Sequence, residues 1–402
     1  MAERSGTPGT PKVLRAMNDR AALDALLELG PLTRTRIGRL TGLSKPTASQ
    51  LLARLESAGL VVVTGTSEGS PGPNAQLYAL NPRTAHVAGL DVTTDGIRAG
   101  VADITGRITG LYELPTPRHR SKDTAEQVVK AVDGAVKAAG LVREDLHRLV
   151  IGTPGAFDPS TGRLRYASHL PGWHSPTLLD ELAAALPMPI EYENDVNLAA
   201  IAEQRLGVAR DRDDFVLLWN KFGIGGAIVI DGRLHRGFTG GAGEFGFLPV
   251  PGAPVIRQVS KVNSGGFQEL AGAQELPAYA RGLGLDVPDG RHDEVSAALL
   301  ARAAAEPAEP AHREFLQHYA TALALGLASV VAVLDPELIV LSGSVNSAGG
   351  EPLRELVAAE LAELAAPRPQ VAIATVQDDP VLRGALEAAL ATTRDEVFDT
   401  SR

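Results

Sequence analysis

The stretch Glu191-Tyr192-Glu193-Asn194-Asp195-Val196-Asn197 places a carboxylate, an amide and a second carboxylate side by side. An ionised carboxylate only accepts hydrogen bonds, whereas an amide both donates and accepts, so together these groups can read an array of hydroxyls. A carboxylate in such a place can also take a proton from a bound hydroxyl. A second set lies near the N-terminus: Ser44, Lys45, Thr47, Ser49, Gln50 and Arg54, with Arg34, Arg36 and Arg39 just upstream. Its cations suit phosphate, and its hydroxyls and amide suit base edges. Taken singly, each of these residues also fits an ordinary solvated surface. Their meaning depends on the elements that hold them.

Residues 12–80 read as a small domain behind a Gly/Pro/Ser/Thr-rich tail, 1–11. Val13, Met17, Leu23, Leu26 and Leu27 suggest an amphipathic helix stopped by Gly30-Pro31. Thr33 can cap a short helix carrying Ile37 and Leu40. Gly42-Leu43 then turns the chain, and Ser44 can cap a further helix that tolerates Pro46 in its first turn. In that helix Ala48, Leu51, Leu52 and Leu55 form one apolar stripe, leaving Lys45, Thr47, Ser49, Gln50 and Arg54 outside it. Strands at 60–64 and 76–80 flank a Gly/Pro/Ser loop and complete a winged helix-turn-helix. Its tip, Ser70-Pro71-Gly72-Pro73-Asn74, carries no cation, which weakens the case for minor-groove insertion.

The charge distribution fits this division. Residues 1–80 hold nine Lys/Arg and six Asp/Glu, net +3, and the remainder hold 29 and 42, net −13. Only the N-terminal part is electrostatically suited to DNA. There are no cysteines, which excludes disulfides and thiolate metal sites. No apolar run approaches the roughly 18–20 residues of a membrane span and no signal segment is evident, so the expected compartment is the cytoplasm.

From His86 onward β-branched runs alternate with Ala/Leu-rich segments, the texture of an α/β domain. Strands are expected at 87–92 and 97–104 as a hairpin, then at 149–153, 216–219, 227–230 and 338–342. Helices are expected at 124–139, 314–334 and 381–393. The segment 285–313, rich in Ala, Pro and charge, reads as a weakly specified helical insertion.

Six motifs appear in order over this region: Gly152-Thr153-Pro154-Gly155, His169-Leu170-Pro171-Gly172-Trp173, Glu193-Asn194-Asp195, Gly223-Ile224-Gly225-Gly226, Gly240-Gly241-Ala242-Gly243-Glu244-Phe245-Gly246 and Asp335-Pro336-Glu337. In this respect residues 84–402 resemble the ROK family of repressors, open reading frames and sugar kinases. The resemblance implies an actin-like ATPase, ribonuclease-H-like fold of two α/β lobes with a sugar between them. It also implies that Asn194, Asp195, Glu244 and Glu269 contact the sugar, with Asp195 at the position of the kinase base. His169 replaces an Asn common in the family, and is either a compensating sugar contact or a packed histidine.

The chain departs from the kinase pattern in two places. A Gly-rich first phosphate turn is replaced by Asp91-Val92-Thr93-Thr94-Asp95. Threonine disfavours positive φ, and a carboxylate ~4 Å from a phosphate at an effective dielectric near 20 opposes it by about 4 kcal/mol. ATP binding is therefore not expected. The second turn reads Lys221-Phe222-Gly223-Ile224-Gly225-Gly226; it lacks a dinucleotide fingerprint, and its glycines are read as structural. The family's zinc ligands correspond to Phe247, Ser260, Val262 and Phe267, none a useful ligand, so neither a metal nor another cofactor is expected.

These observations favour a DNA-binding regulator of carbohydrate genes, a repressor more than an activator. A homodimer should bind a double-stranded operator, with a sugar or sugar-derived effector in the cleft and no catalytic residue at work. A sugar kinase with a DNA-binding appendage and a ligand-independent DNA-binding protein are the alternatives.

Overall fold

The computed structural model describes residues 11–67, 75–115, 124–158, 163–165, 173, 175, 177–254 and 266–400. The N-terminal unit comprises α1 (Pro11–Leu29), β1 (Leu32–Thr33), α2 (Arg34–Leu40), α3 (Lys45–Ser57), β2 (Val61–Thr66) and β3 (Gln76–Leu80). The expected caps form: the Thr33 side chain accepts from Arg36 N and the Ser44 side chain from Thr47 N. Ala48, Leu51, Leu52 and Leu55 are all buried, as the stripe requires. β3 lies between β1 and β2, so the wing is a three-stranded sheet. Its tip and the 1–10 tail lie outside the described residues.

The first helix differs from its reading. Val13 and Met17 are exposed at 47% and 61%, and the buried face is Asp19, Ala22, Leu23 and Leu26. The small domain is also not closed at residue 80. Its core takes in Ala85, Ile104 and Phe398 from far along the chain, with Phe398 only 1% exposed.

The rest of the chain builds two lobes on one repeated plan. The first contains β4 (His86–Val92), β5 (Gly96–Asp103), β6 (Ile108–Pro115), α4 (Thr124–Ala138), β7 (Leu146–Thr153), the small hairpin β8 (Ala156–Asp158) and β9 (Arg163–Arg165), α5 (Leu178–Ala185), β10 (Ile190–Asn194) and α6 (Asp195–Leu206). The second contains β11 (Phe215–Asn220), β12 (Ile224–Ile230), β13 (Arg233–Leu234), α7 (Gly266–Ala271), α8 (Leu276–Gly282), α9 (His292–Ala305), α10 (Pro310–Leu334), β14 (Leu338–Ser342), α11 (Ser344–Leu364) and β15 (Gln370–Ile373). Finally α12 (Pro380–Val397) returns to the first lobe, packing on β4, β5, β7 and α6.

Strand order is β10-β7-β4-β5-β6 in one sheet and β15-β14-β11-β12-β13 in the other. In each, an antiparallel hairpin opens the sheet and two parallel strands extend its other side. The β4–β5 and β11–β12 turns are thus equivalent places in two copies of one plan. The insertion at 285–313 is better ordered than its composition suggests: α9 buries Val295, Leu299, Leu300 and Ala303 in the second-lobe core.

One expectation needs correction. α10 is, by length and composition, apolar enough to cross a membrane. It buries Phe315, Tyr319, Leu323, Leu327 and Val331 in the second-lobe core, so that its hydropathy is explained by packing.

Candidate functional site

At the C-terminal end of β10, Asn194 caps α6. Its Oδ1 accepts from Val196 N at 2.9 Å and Asn197 N at 3.1 Å. Its Nδ2 donates to Gly155 O and to Asp195 Oδ1, both at 3.1 Å. The amide's bonding capacity is therefore engaged within the chain. Asn194 was expected to read hydroxyls; the structure uses it to fix the helix and to orient Asp195.

Asp195, the first residue of α6, accepts from Val196 N and Asn194 through Oδ1. Among the described residues its Oδ2 has no hydrogen-bond partner. This carboxyl is raised to about 6, chiefly by burial and to a lesser degree by Glu244, against the opposing Val196 N–H and Lys221. Asp91, at the end of β4, is likewise raised to about 6, first by burial and then by Asp195, with Lys221 opposing. The Lys221 charge thus offsets the repulsion between two carboxylates that would otherwise resist ionising together. Glu193 is held by Asn197 Nδ2 at 2.8 Å and Arg236 Nε at 2.6 Å, which closes the chain behind the site.

Glu244 precedes a short 3-10 turn, Phe245–Phe247, and its carboxyl is raised by burial. The approach to it is tight, because an added Cβ on Gly243, φ +94°, would stand 2.0 Å from Gly226 O. Glu269 lies on α7, which packs against that 3-10 turn, so the two acids come from neighbouring elements. No hydrogen bond joins Glu269 to Asp195. His169 lies outside the described residues. Asp335-Pro336-Glu337 proves architectural: Glu337 Oε1 accepts from Asp213 N at 2.9 Å, and Oε2 pairs with Arg212.

The zinc set does not fit a metal. Phe267 is fully buried, packs against Gly326 of α10 and offers no donor; Phe247 offers none either. Ser260 and Val262 lie outside the described residues.

The phosphate-turn positions differ in kind from the sugar side. The Thr93 hydroxyl receives the N–H groups of Asp95 and Gly96, each at 3.3 Å, and itself donates to Gly96 O at 3.1 Å. The turn therefore satisfies two of its own amides internally. Asp95 pairs with Arg291 Nη1 at 2.8 Å.

On the N-terminal unit, Arg34, Arg36, Arg39, Lys45, Thr47 and Gln50 are exposed. Arg34 Nη1 donates to Ser49 Oγ at 3.1 Å, and the Ser44 and Thr47 hydroxyls pair at 2.8 Å, which preorients that face. Arg54 does not belong with them. It turns inward to Asp19 Oδ1 at 2.6 Å, and Asp19 also accepts from Thr400 Oγ1 at 3.1 Å. Reading the sequence missed Asp19, although a carboxylate in line with Ala22, Leu23 and Leu26 on the buried face signalled an internal partner.

The model of the ROK family matches residues 87–393. The chain belongs to the ROK family. A model of the MarR family matches residues 18–70, consistent with the winged helix. This ROK chain is similar to the xylose repressor of Caldicellulosiruptor bescii, 24% identical over 362 residues that cover 87% of it and 89% of the relative. It is also similar to the glucokinase of Streptomyces coelicolor, 28% identical over 284 residues, 66% of this chain and 85% of that one. Among solved structures, a ROK family transcriptional regulator described as a homolog of the E. coli MLC protein superposes with a TM-score of 0.72 at 19% identity, covering 96% and 98% of the two chains. The ROK hexokinase of Thermus thermophilus superposes at 0.63 and 28% identity, covering 77% of this chain and 99% of its own. The fold is therefore a MarR-like winged helix joined to a two-lobed, actin-like ROK domain.

Proposed function

We propose that this protein is a sugar-responsive transcriptional repressor of carbohydrate uptake or metabolism genes, acting in the cytoplasm as a homodimer on a double-stranded operator. The observation that carries this reading is the exposed face of α3, where Lys45, Thr47 and Gln50 stand over a fully buried stripe. Ser49 and Ser44 help to fix that face, and Arg34 supplies a phosphate contact. Arg54 is removed from the DNA-contacting set. The relative named as a xylose repressor spans both units of the chain, which supports repression and a sugar effector.

Asp195, Glu244 and Glu269 are the effector-reading acids in this proposal, with Asn194 as positioner and His169 as a further contact. No metal or nucleotide takes part. α12 supplies a route from this site to the DNA-binding unit. It packs so closely on α6 that a Cβ on Gly384 would stand 1.9 Å from Leu198 O, and Phe398 just beyond its end is buried in the winged-helix core. Arg20 of α1 pairs with Asp395 of α12 at 2.9 Å. An effector that binds two positions of α6 with different affinity would therefore shift the winged helix as well.

The test is genome-wide DNA capture with purified protein, followed by titration of the enriched site. Gln50→Ala should cost about 1–3 kcal/mol and relax specificity, whereas Lys45→Ala should weaken all sites and lower the salt slope by about one. Unchanged affinity in both variants at fixed salt would remove α3 from the interface.

A sugar kinase remains the second reading, supported by Asp195 Oδ2, which has no hydrogen-bond partner among the described residues, and by similarity to glucokinases. The self-satisfied Thr93 turn stands against it. A ligand-independent DNA-binding protein is the third, and a thermal shift with any sugar would remove it.

A further inference from the structure

The β4–β5 turn of the first lobe and the segment entering α9 of the second meet across the cleft. Asp95 Oδ2 accepts from Arg291 Nη1 at 2.8 Å. The Arg291 guanidinium also lies over the Phe222 ring, 4.9 Å from its centroid, and Lys221 Nζ lies 5.1 Å from the same ring. Phe222 and Lys221 belong to the β11–β12 turn, the second-lobe counterpart of the turn that carries Asp95. The paired hairpin turns of a duplicated fold are thus joined through one arginine supplied by the insertion at 285–313.

Arg291 is prepared for this contact. Its Nη2 donates to Asp293 Oδ2 at 3.0 Å and its Nε to Asp293 Oδ1 at 3.3 Å; Asp293 is 5% exposed. Glu294 adds a further ion pair at 3.3 Å. A guanidinium fixed by a buried carboxylate at the start of a helix loses little further freedom when it meets Asp95. Its planar face stacks on Phe222 without competing for those hydrogen bonds.

We infer that Asp95, Arg291 and Phe222 form a latch that holds the two lobes together where the β4–β5 and β11–β12 turns meet. The Asp95 carboxylate is the anion that joins the turns, so closure requires no nucleotide. The latch is partly exposed and gives way without unfolding either lobe. A solvent-facing pair of this kind shifts an equilibrium by about two- to fivefold, and the Asp293 anchor and the Phe222 face place this one toward the upper end. The inference concerns lobe closure and is independent of whether the protein represses, activates or binds DNA.

The absence of native cysteine makes the test direct. Nitroxide labels at Glu144→Cys in the first lobe and Glu309→Cys in the second, in the full chain, report the inter-lobe distance distribution. Asp95→Asn should move population toward longer distances by about two- to fivefold at low salt. Asp95→Glu should retain most of the closed population. High salt should bring the wild-type distribution toward that of Asp95→Asn while leaving the variant nearly unchanged. Circular dichroism and melting of the labelled proteins separate opening from unfolding, and the exposed Asp95 tolerates the change better than Arg291, whose loss would leave Asp293 unpaired. Superimposable wild-type and Asp95→Asn distributions at low salt would overturn the latch.

Discussion

The β10–α6 junction and the β4–β5 turn, both in the first lobe, reach opposite bonding conditions. At the junction, Asp195 keeps an oxygen without a hydrogen-bond partner among the described residues, burial raises its carboxyl to about 6, and a neighbouring amide is committed to aiming it. At the turn, Thr93 occupies the turn's own N–H groups, and Asp95 is paired to Arg291. A group kept partly unsatisfied at some cost in stability is prepared for a ligand; a turn whose donors are already used is not. This difference is what the proposed reading, a hydroxylated effector without a nucleotide, rests on.

The largest effect that could break this contrast is catalysis. A coupled assay with ATP and a panel of sugars should give no sugar-dependent ADP release. Turnover near the ~1–100 s⁻¹ of kinases, abolished by Asp195→Asn, would mean that the Thr93 turn opens to accept phosphate. Next in size is recognition. For a sugar that calorimetry shows to bind the wild type, Asp195→Asn should weaken affinity by about 10- to 150-fold, the loss of a charge-assisted hydrogen bond. Asp95→Asn should stay within about fivefold. Equal losses from the two substitutions would erase the distinction between the two places.

The third effect is on stability and has a definite sign. Asp195 titrates at about 6 in the folded protein, against an ordinary value of 3.8, so between these pH values the folded state holds more protons than the unfolded one. Stability from this group is present below pH 3.8 and lost as pH rises through 6. Asp195→Asn should therefore stabilise the protein by roughly 1–3 kcal/mol at pH 8 in urea unfolding, with the gain fading toward pH 4. A gain independent of pH would show that the carboxyl is not held in this way. The smallest effect is on the turn: Thr93→Ala should cost about 0.5–1.5 kcal/mol and speed hydrogen exchange at the Asp95 and Gly96 amides.

How far each feature could be read ahead of the structure follows from its range in the chain. The Thr33 and Ser44 caps and the Ala48-to-Leu55 stripe rest on neighbours within a few residues, and they form as read. The first helix was misjudged because Val13 and Met17 continue its apolar spacing yet stay exposed, whereas Asp19 is buried because Arg54 and Thr400 answer its charge. At the site, motif order located Asp195, but residue type alone could not reveal that the Asn194 amide is consumed by α6 and Gly155.

By itself the amino-acid sequence determined the family, the winged helix and the two-lobed architecture, because these are written in periodicity, capping chemistry and the order of short motifs. Only the tertiary structure decided which polar groups remain available. Arg54 was removed from the DNA face by a residue 35 positions away, Asp95 met Arg291 across 196 positions, and Phe398 entered a core that begins with Ala22. The physical reason is that a side chain's donors and acceptors are allotted by whatever folds against it, and for these residues that partner comes from another part of the chain.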